Sequence, residues 1–397
     1  MSRCIKFFFL FGLFWGLSTD NSFADGPLKV FILVGQSNMQ GHAHVRTLEH
    51  LAMNDETKFM RDQICEADGT PRVHNDVWIS YLTDGGVRAG QLTTGFGANA
   101  EKIGPELTFG IRMQEQLDEP ILIIKAAWGG KSINTDFRPP SAGPYVFPEE
   151  HLKRLAEQGK DVDAIKQEKV DATGVYYKLM IDHVQSVLED IGQVYPDYDS
   201  GAGYEIAGFV WFQGWNDMVD STTYANRDQP GGYHEYSDLL AHFIRDVRKD
   251  LNTDIPFVIG VMGVGGPVSE YGEGEKRYVT THQNFRDAMA APVAMDDLPN
   301  VVAVLTENCW DPELTRLRER ESEIRREIDQ AKKNNEISDD EAKDREQRLR
   351  SERFSDRELE TLEKAISNAE YHYLGSARIL GCIGNKFAEA LFEFVKQ

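Results

Sequence analysis

Ser37 stands just beyond an apolar run, in the string Val34-Gly35-Gln36-Ser37-Asn38-Met39-Gln40-Gly41. A serine at the carboxyl end of a buried parallel strand lies on the edge where open α/β sheets hold their ligands. The neighbouring glycine permits the tight turn that exposes a hydroxyl. Such a hydroxyl is a candidate nucleophile if a base takes its proton, but the same serine would equally serve as the N-cap of a following helix. Two uncharged amides follow a second apolar run in Gln213-Gly214-Trp215-Asn216-Asp217. They are able to donate to a developing negative charge, or simply to shape a polar turn. His42-x-His44 has the spacing of a metal pair, yet no Cys or clustered further ligand supports it, so no metal is expected. Gly263-x-Gly265-Gly266 lacks the rest of a dinucleotide fingerprint, so no cofactor is expected either.

The elements that must position these residues are legible from the apolar pattern. Val30 to Val34, Ile121 to Ala126, Ile206 to Phe212, Pro256 to Met262 and Val301 to Leu305 are apolar at nearly every position, as strands buried on both faces are. Between them Pro105 to Leu117, Tyr176 to Ile191 and Tyr236 to Leu251 carry helical spacing. Strand alternating with helix predicts a three-layer α/β/α domain, a doubly wound parallel sheet of the flavodoxin-like kind. Residues 311 to 360 differ in kind, with 17 acidic and 13 basic side chains among 50. Asp311-Pro312 reads as an N-cap followed by proline at the first helical position. Leu314, Leu317, Ile324 and Ile328 keep a thin apolar stripe, and Ser338-x-x-Glu341 and Ser355-x-x-Glu358 read as capping boxes. This segment is expected to be a charged helical insert, solvated and packed on the main domain as a hairpin, with a lid or an oligomer contact as the alternative.

At the amino end, Arg3 and Lys6 precede an apolar run from Phe7 to Leu17 and a polar stretch closing on Ser22-Phe23-Ala24. This is the layout of a signal peptide, and the run is shorter than the roughly 20 residues a membrane-spanning helix needs. The expected organisation is a leader over residues 1–24 and one domain over 25–397. The protein is expected to be exported, periplasmic or secreted, with no membrane span. A net charge of −22 argues against nucleic acid, whose ligands need a cationic face. With Cys4 in the leader, Cys65, Cys309 and Cys382 remain; they allow one disulfide and one free thiol, or three buried thiols.

GQSNMQG as a whole resembles the nucleophile block of the SGNH hydrolases, in the form seen in carbohydrate acetylesterases similar to sialate O-acetylesterases and some acetylxylan esterases. Further blocks follow in that family's order. Trp128-Gly129-Gly130-Lys131-Ser132-Ile133 is similar to the second block, which implies that Gly130 offers a backbone N–H to an oxyanion hole. Residues 213–217 resemble the third block in two variants, one implying Asn216 and the other Gln213 as side-chain donor; Trp215 stands where the acetylesterase variant has Glu. Asn368-Ala369-Glu370-Tyr371-His372-Tyr373-Leu374-Gly375, ahead of a helix with Ile379, Ile383, Phe387 and Leu391, resembles the fourth block, which implies His372 as base.

The resemblance implies an ester hydrolase acting on acetylated carbohydrate, with Ser37 and His372 catalytic and the Ser37 N–H in the oxyanion hole. The acid that orients the base usually sits three residues before it, where this chain has Ala369. Glu370, Asp311 and Asp217 stand as alternatives for that role, and a dyad oriented by a carbonyl is chemically sufficient without any of them. Arg138, in Phe137-Arg138-Pro139-Pro140, is a candidate sugar contact, with a structural salt bridge as its rival. Other readings of the same fold are a catalytically idle sugar-binding protein, or a lipase or thioesterase. The sequence leaves open the sugar, the acetyl position and the oligomeric state.

Overall fold

All five apolar runs become strands, and two further strands join them. The computed structural model describes residues 26–396, so the leader expected over residues 1–24 lies outside the described residues. One sheet contains β1 (Leu28–Gly35), β2 (His74–Thr83), β3 (Gly86–Leu92), β4 (Ile121–Ala127), β5 (Tyr204–Phe212), β6 (Phe257–Val261) and β7 (Val301–Leu305), in the order β3-β2-β4-β1-β5-β6-β7. Every neighbouring pair is parallel except the β2–β3 hairpin at one edge. β1 is the central strand of the seven, and without the hairpin the order is the flavodoxin-like one.

The main helices are α1 (Pro105–Leu117), α2 (Val175–Glu189), α3 (His234–Asp250), α4 (Pro312–Lys333), α5 (Asp339–Arg353), α6 (Asp356–Ala365) and α7 (Ala377–Val395). Alternation along β5 shows how both faces of the sheet are covered. Phe209 and Trp211 meet Phe243 of α3, with ring centroids 6.0 and 4.3 Å away, while Phe212 meets Phe387 of α7 at 5.3 Å. On the α7 face, Phe31 of β1 packs on Phe109 of α1. Successive side chains of a strand point to opposite faces, so the chain forms three layers. Burial of each such large apolar side chain contributes about 1.5–3 kcal/mol.

The charged segment forms three helices, α4 to α6, one from each of the starts expected at Asp311, Ser338 and Ser355. Asp311 caps α4 by accepting from the N–H groups of Glu313 and Leu314, and Ser338 and Ser355 each make a reciprocal capping box. The apolar stripe is fully used, since Leu314, Leu317, Ile324 and Ile328 are all buried in the core cluster. The turn after β7 is tied to α7 by a Cys309–Cys382 disulfide, and Cys65 is a buried free thiol. One pair plus one free thiol is therefore the arrangement adopted. Among the described residues no helix is long and apolar enough to cross a membrane.

Candidate active site

Three turns leave the sheet at one edge because their strands end in register. Gly35 of β1 pairs with Ala127 of β4 and Phe212 of β5, so Ser37, Trp128–Lys131 and Gln213–Asp217 emerge side by side. A Cβ on Gly35 would lie 2.1 Å from the Phe212 carbonyl oxygen, so only glycine fits beneath the serine turn. Residues Ser37–Gln40 form a single helical turn whose N-cap is Gln36, with no side-chain cap. The capping role that Ser37 would otherwise have served is thus absent. The hydroxyl sits in a largely buried residue, 7% exposed, at the carboxyl edge of the sheet.

Beneath this turn lies a buried ion pair. Lys125 of β4 donates to Glu106 of α1 at 2.7 Å and to the carbonyls of Gln40 and Phe96, while Glu106 also accepts from the Gly104 N–H. Neither side chain is exposed. Burial pushes the Lys125 ammonium down to about 8, with Glu106 opposing. Lys125 therefore fixes the end of the serine turn through Gln40. Sequence reasoning passed over it because it stands inside an otherwise apolar strand.

The two candidate oxyanion amides separate clearly. Gln213 is 2% exposed, and its Nε2 faces three acceptors: Asp217 Oδ2 at 2.6 Å, the Lys131 carbonyl at 3.1 Å and Gln36 Oε1 at 3.2 Å. Its two protons are consumed internally. Asn216 instead accepts at Oδ1 from Gln36 Nε2, 3.1 Å away, a contact that turns its Nδ2 donor outward with no partner among the described residues. Gly130 has φ 73° and open space around its Cα, so its backbone conformation is one glycine adopts without strain.

Asp217 holds the Gly130 turn in place. It is fully buried and accepts from the N–H groups of Ile133 and Asn134, from the side-chain amides of Asn134 and Gln213, and from the Tyr224 hydroxyl. Burial pushes its carboxyl up to about 6 against the pull of those donors. As an acid for His372 it is a correction, because its oxygens are engaged here.

His372 lies on the turn Glu370–Gly375, which packs against Ser37–Gln40. Tyr373 and Leu374 have φ of 53° and 59°, a left-handed conformation costing roughly 1–3 kcal/mol per non-glycine residue. The Tyr373 hydroxyl compensates by bonding the Gly263 N–H at 2.9 Å and the Thr306 hydroxyl at 2.7 Å, at the ends of β6 and β7. His372 Nδ1 lies 2.9 Å from Asn368 Oδ1. The same oxygen accepts from the Ala369 N–H at 2.8 Å, which fixes which end of the amide faces the ring. Nδ1 therefore carries the proton and Nε2 keeps its lone pair, as a general base requires. Burial, with the Lys102 charge second, pushes the imidazolium down to about 4.

The other acid candidates are placed elsewhere. Asp311 caps α4 and takes Arg378 Nη1 at 2.7 Å. Glu370 lines a cleft of about 510 Å³ together with Trp215, Tyr371, Tyr278, Arg277 and Glu275. Its carboxyl is raised by burial and then by the charges of Glu275 and of Glu319 from α4. Trp215 and Tyr371 approach to 5.6 Å in this cleft, and Tyr371 lies edge-on to His372 at 4.5 Å. Arg138 is buried, its Nε on the Gly143 carbonyl and its Nη1 on that of Asn134, with Glu235 3.8 Å away. It braces its own loop, so the structural alternative to a sugar contact is the one realised. Asn368, one residue from the expected acid position, was missed because neither its type nor its offset signals an orienting role.

Fold and strand-end assembly define the class, a doubly wound α/β protein with a polar site at the carboxyl edge of its sheet. The sequence profile of the family described as carbohydrate esterase, sialic acid-specific acetylesterase, matches residues 27–317. The chain belongs to that family and is an acetylesterase of the carbohydrate-esterase type. The matched stretch includes Ser37, Gly130 and Asn216 and ends before His372. Similar solved structures include a protein from Arabidopsis thaliana, 18% identical with a TM-score of 0.39, covering 70% of this chain and 86% of that one. Two others are XAC1771, a carbohydrate acetylesterase from Xanthomonas citri (16%, TM-score 0.40, 71% of this chain and 51% of that one), and NanS (14%, TM-score 0.36, 70% and 78%). A search of curated proteins found no match.

Proposed function

We propose that this chain is an exported serine esterase of the SGNH type that removes O-acetyl groups from carbohydrates, with Ser37 as nucleophile and His372 as base. The observation that carries the mechanism is the His372–Asn368 contact, with the amide end fixed by Ala369. It gives a neutral imidazole with the correct tautomer on a turn packed against that of Ser37. His372 Nε2 takes the Ser37 proton as Oγ attacks the acetyl carbonyl, and the Ser37 and Gly130 N–H groups with the Asn216 amide receive the oxyanion. The proton passes to the departing sugar oxygen, leaving an acetyl-enzyme. Water, deprotonated by the same nitrogen, then releases acetate and restores Ser37. No carboxylate takes part.

The aromatic cleft beside His372 supports a sugar as the acetylated group, since ring faces and a few polar groups suit a ligand with both apolar and hydroxylated sides. Export is supported by the amino-terminal leader pattern and by the Cys309–Cys382 pair, a bond favoured outside reducing compartments. The test is turnover of p-nitrophenyl acetate and of acetylated sugars. Ser37→Ala should abolish both while leaving the melting temperature nearly unchanged, and wild-type turnover in that variant would overturn the assignment.

A further inference from the structure

The ring of His42 lies parallel to that of His372, with centroids 4.0 Å apart and planes within 3°. We propose that His42 is a positioning residue, a neutral plate that holds the His372 imidazole in plane while it takes and returns the Ser37 proton. This rests on the reading of Ser37 and His372 given above.

The need for such a plate follows from the absent acid. A carboxylate would both orient a catalytic imidazole and stabilise its cation. Asn368 does the first through one hydrogen bond, which defines the tautomer but leaves the ring able to pivot about that contact. A second ring in face contact removes this pivot. As the proton arrives, the π face of a neutral ring is also the side on which a cation is favoured.

The backbone around His42 is built to hold the ring there. Gly41 has φ 91°, and a Cβ on it would lie 2.1 Å from the Cα of Gly104, so the chain turns tightly just before His42. Ala43–His44 then pairs with Lys102–Ile103 as a small antiparallel ladder. Lys102 Nζ reaches His42 Nδ1 at 3.2 Å; an ammonium only donates, so this nitrogen accepts and the His42 proton sits on Nε2. Burial, then the neighbouring His372 and Lys102, push the His42 imidazolium down to about 3, so the plate stays neutral. Finally, the Ser367 hydroxyl accepts from the His44 N–H at 3.0 Å and donates to the Gly375 carbonyl at 2.7 Å. One side chain thus clamps the strand that follows His42 to the turn that carries His372.

The test is steady-state hydrolysis of p-nitrophenyl acetate by the full chain and its His42 variants, with melting temperature measured alongside. His42→Ala should lower kcat by about tenfold to a hundredfold, the range that loss of alignment costs, with KM changed less than about threefold. His42→Phe, which keeps a flat ring but no hydrogen-bonding nitrogen, should restore kcat to within about threefold of wild type. Wild-type kcat in a folded His42→Ala variant would overturn the proposal. So would a folded His42→Phe variant as slow as His42→Ala, because the nitrogens rather than the plate would then matter. Loss of activity in Ser37→Ala and His372→Ala alongside an unaffected His42→Ala would sink this inference alone. Activity surviving in Ser37→Ala would sink the underlying mechanism instead.

Discussion

The two sides of the site are held in opposite ways. On the oxyanion side Gln36, Gln213, Asp217, Asn134 and Tyr224 form one buried network, and Lys125 with Glu106 braces the serine turn from below. Several of these groups make two or more contacts, so the geometry is overdetermined. On the base side, His372 rides a left-handed turn and relies on one amide oxygen, the stacked ring of His42 and the edge contact of Tyr371. The oxyanion donors must be in place before charge develops, because preorganisation is what gives them their effect. The base must become charged twice per turnover, and in this chain it does so beside Lys102 rather than beside an anion.

Breaking the overdetermined side should do the most damage. Asp217→Asn leaves an NH2 facing N–H donors in a fully buried place, and each unsatisfied donor costs about 1–3 kcal/mol. The Gly130 turn should shift, lowering kcat by about a hundredfold, as a displacement near 1 Å does. Thermal melting should fall in parallel. If kcat fell without any loss of stability, Asp217 would be acting on the chemistry rather than on the turn.

The base side should respond more mildly and in both directions. Asn368→Ala frees the tautomer of His372 and should lower kcat by about tenfold, since the imidazole then spends part of its time with Nδ1 as the acceptor. Asn368→Asp supplies an anion against the ring, which should raise the pKa of the base by about one unit or more. An unchanged pH profile in Asn368→Asp would show that Nδ1 does not face residue 368 during turnover.

That pH profile has a defined direction. Because burial and Lys102 lower the imidazolium to about 4, Nε2 keeps its lone pair well into acid. The rate profile kcat/KM should stay flat from neutrality to about pH 5 and fall with a midpoint at about 4. Lys102→Met removes the second of those causes, so the midpoint should rise by a fraction of a unit. A midpoint of the wild type near an ordinary histidine, about 6.5, would mean that the ring is more solvated than its packing indicates.

How legible all this was in the sequence follows the same division. Five strands and the three long helices between them showed in apolar periodicity: four of the strands are largely buried on both faces, while the edge strand β7 keeps the apolar run although only partly buried. The β2–β3 hairpin did not: a buried Ser80 interrupts the apolar stretch of β2, and the edge strand β3, Gly86–Leu92, is short of apolar residues and largely exposed. Its Asp84-Gly85-Gly86 turn was the available signal. The residues at the strand ends were visible as motifs, but Gln213 and Asn216 were indistinguishable until Gln36 and Asp217 assigned their hydrogen bonds. Asn368 and His42 could not have been read at all. Their roles depend on which ring atom faces them across the fold, and spacing along the chain carries no such information.

The smallest effect is expected at the carboxylate nearest His372 in sequence. Glu370 is two residues from the base, yet it faces the cleft, where burial, then the charges of Glu275 and Glu319, raise its carboxyl. Glu370→Gln should change kcat on p-nitrophenyl acetate by less than about threefold, below 1 kcal/mol of barrier, and leave the acid limb in place. Asp311→Asn provides the contrast. It weakens the contact with Arg378 and the cap on α4, so it should lower stability by about 1 kcal/mol with kcat nearly unchanged. Melting curves and saturating kinetics on the two variants therefore separate a cleft residue from a structural one. A loss of orders of magnitude in Glu370→Gln would return the role of acid to Glu370 and reduce Asn368 to a turn residue.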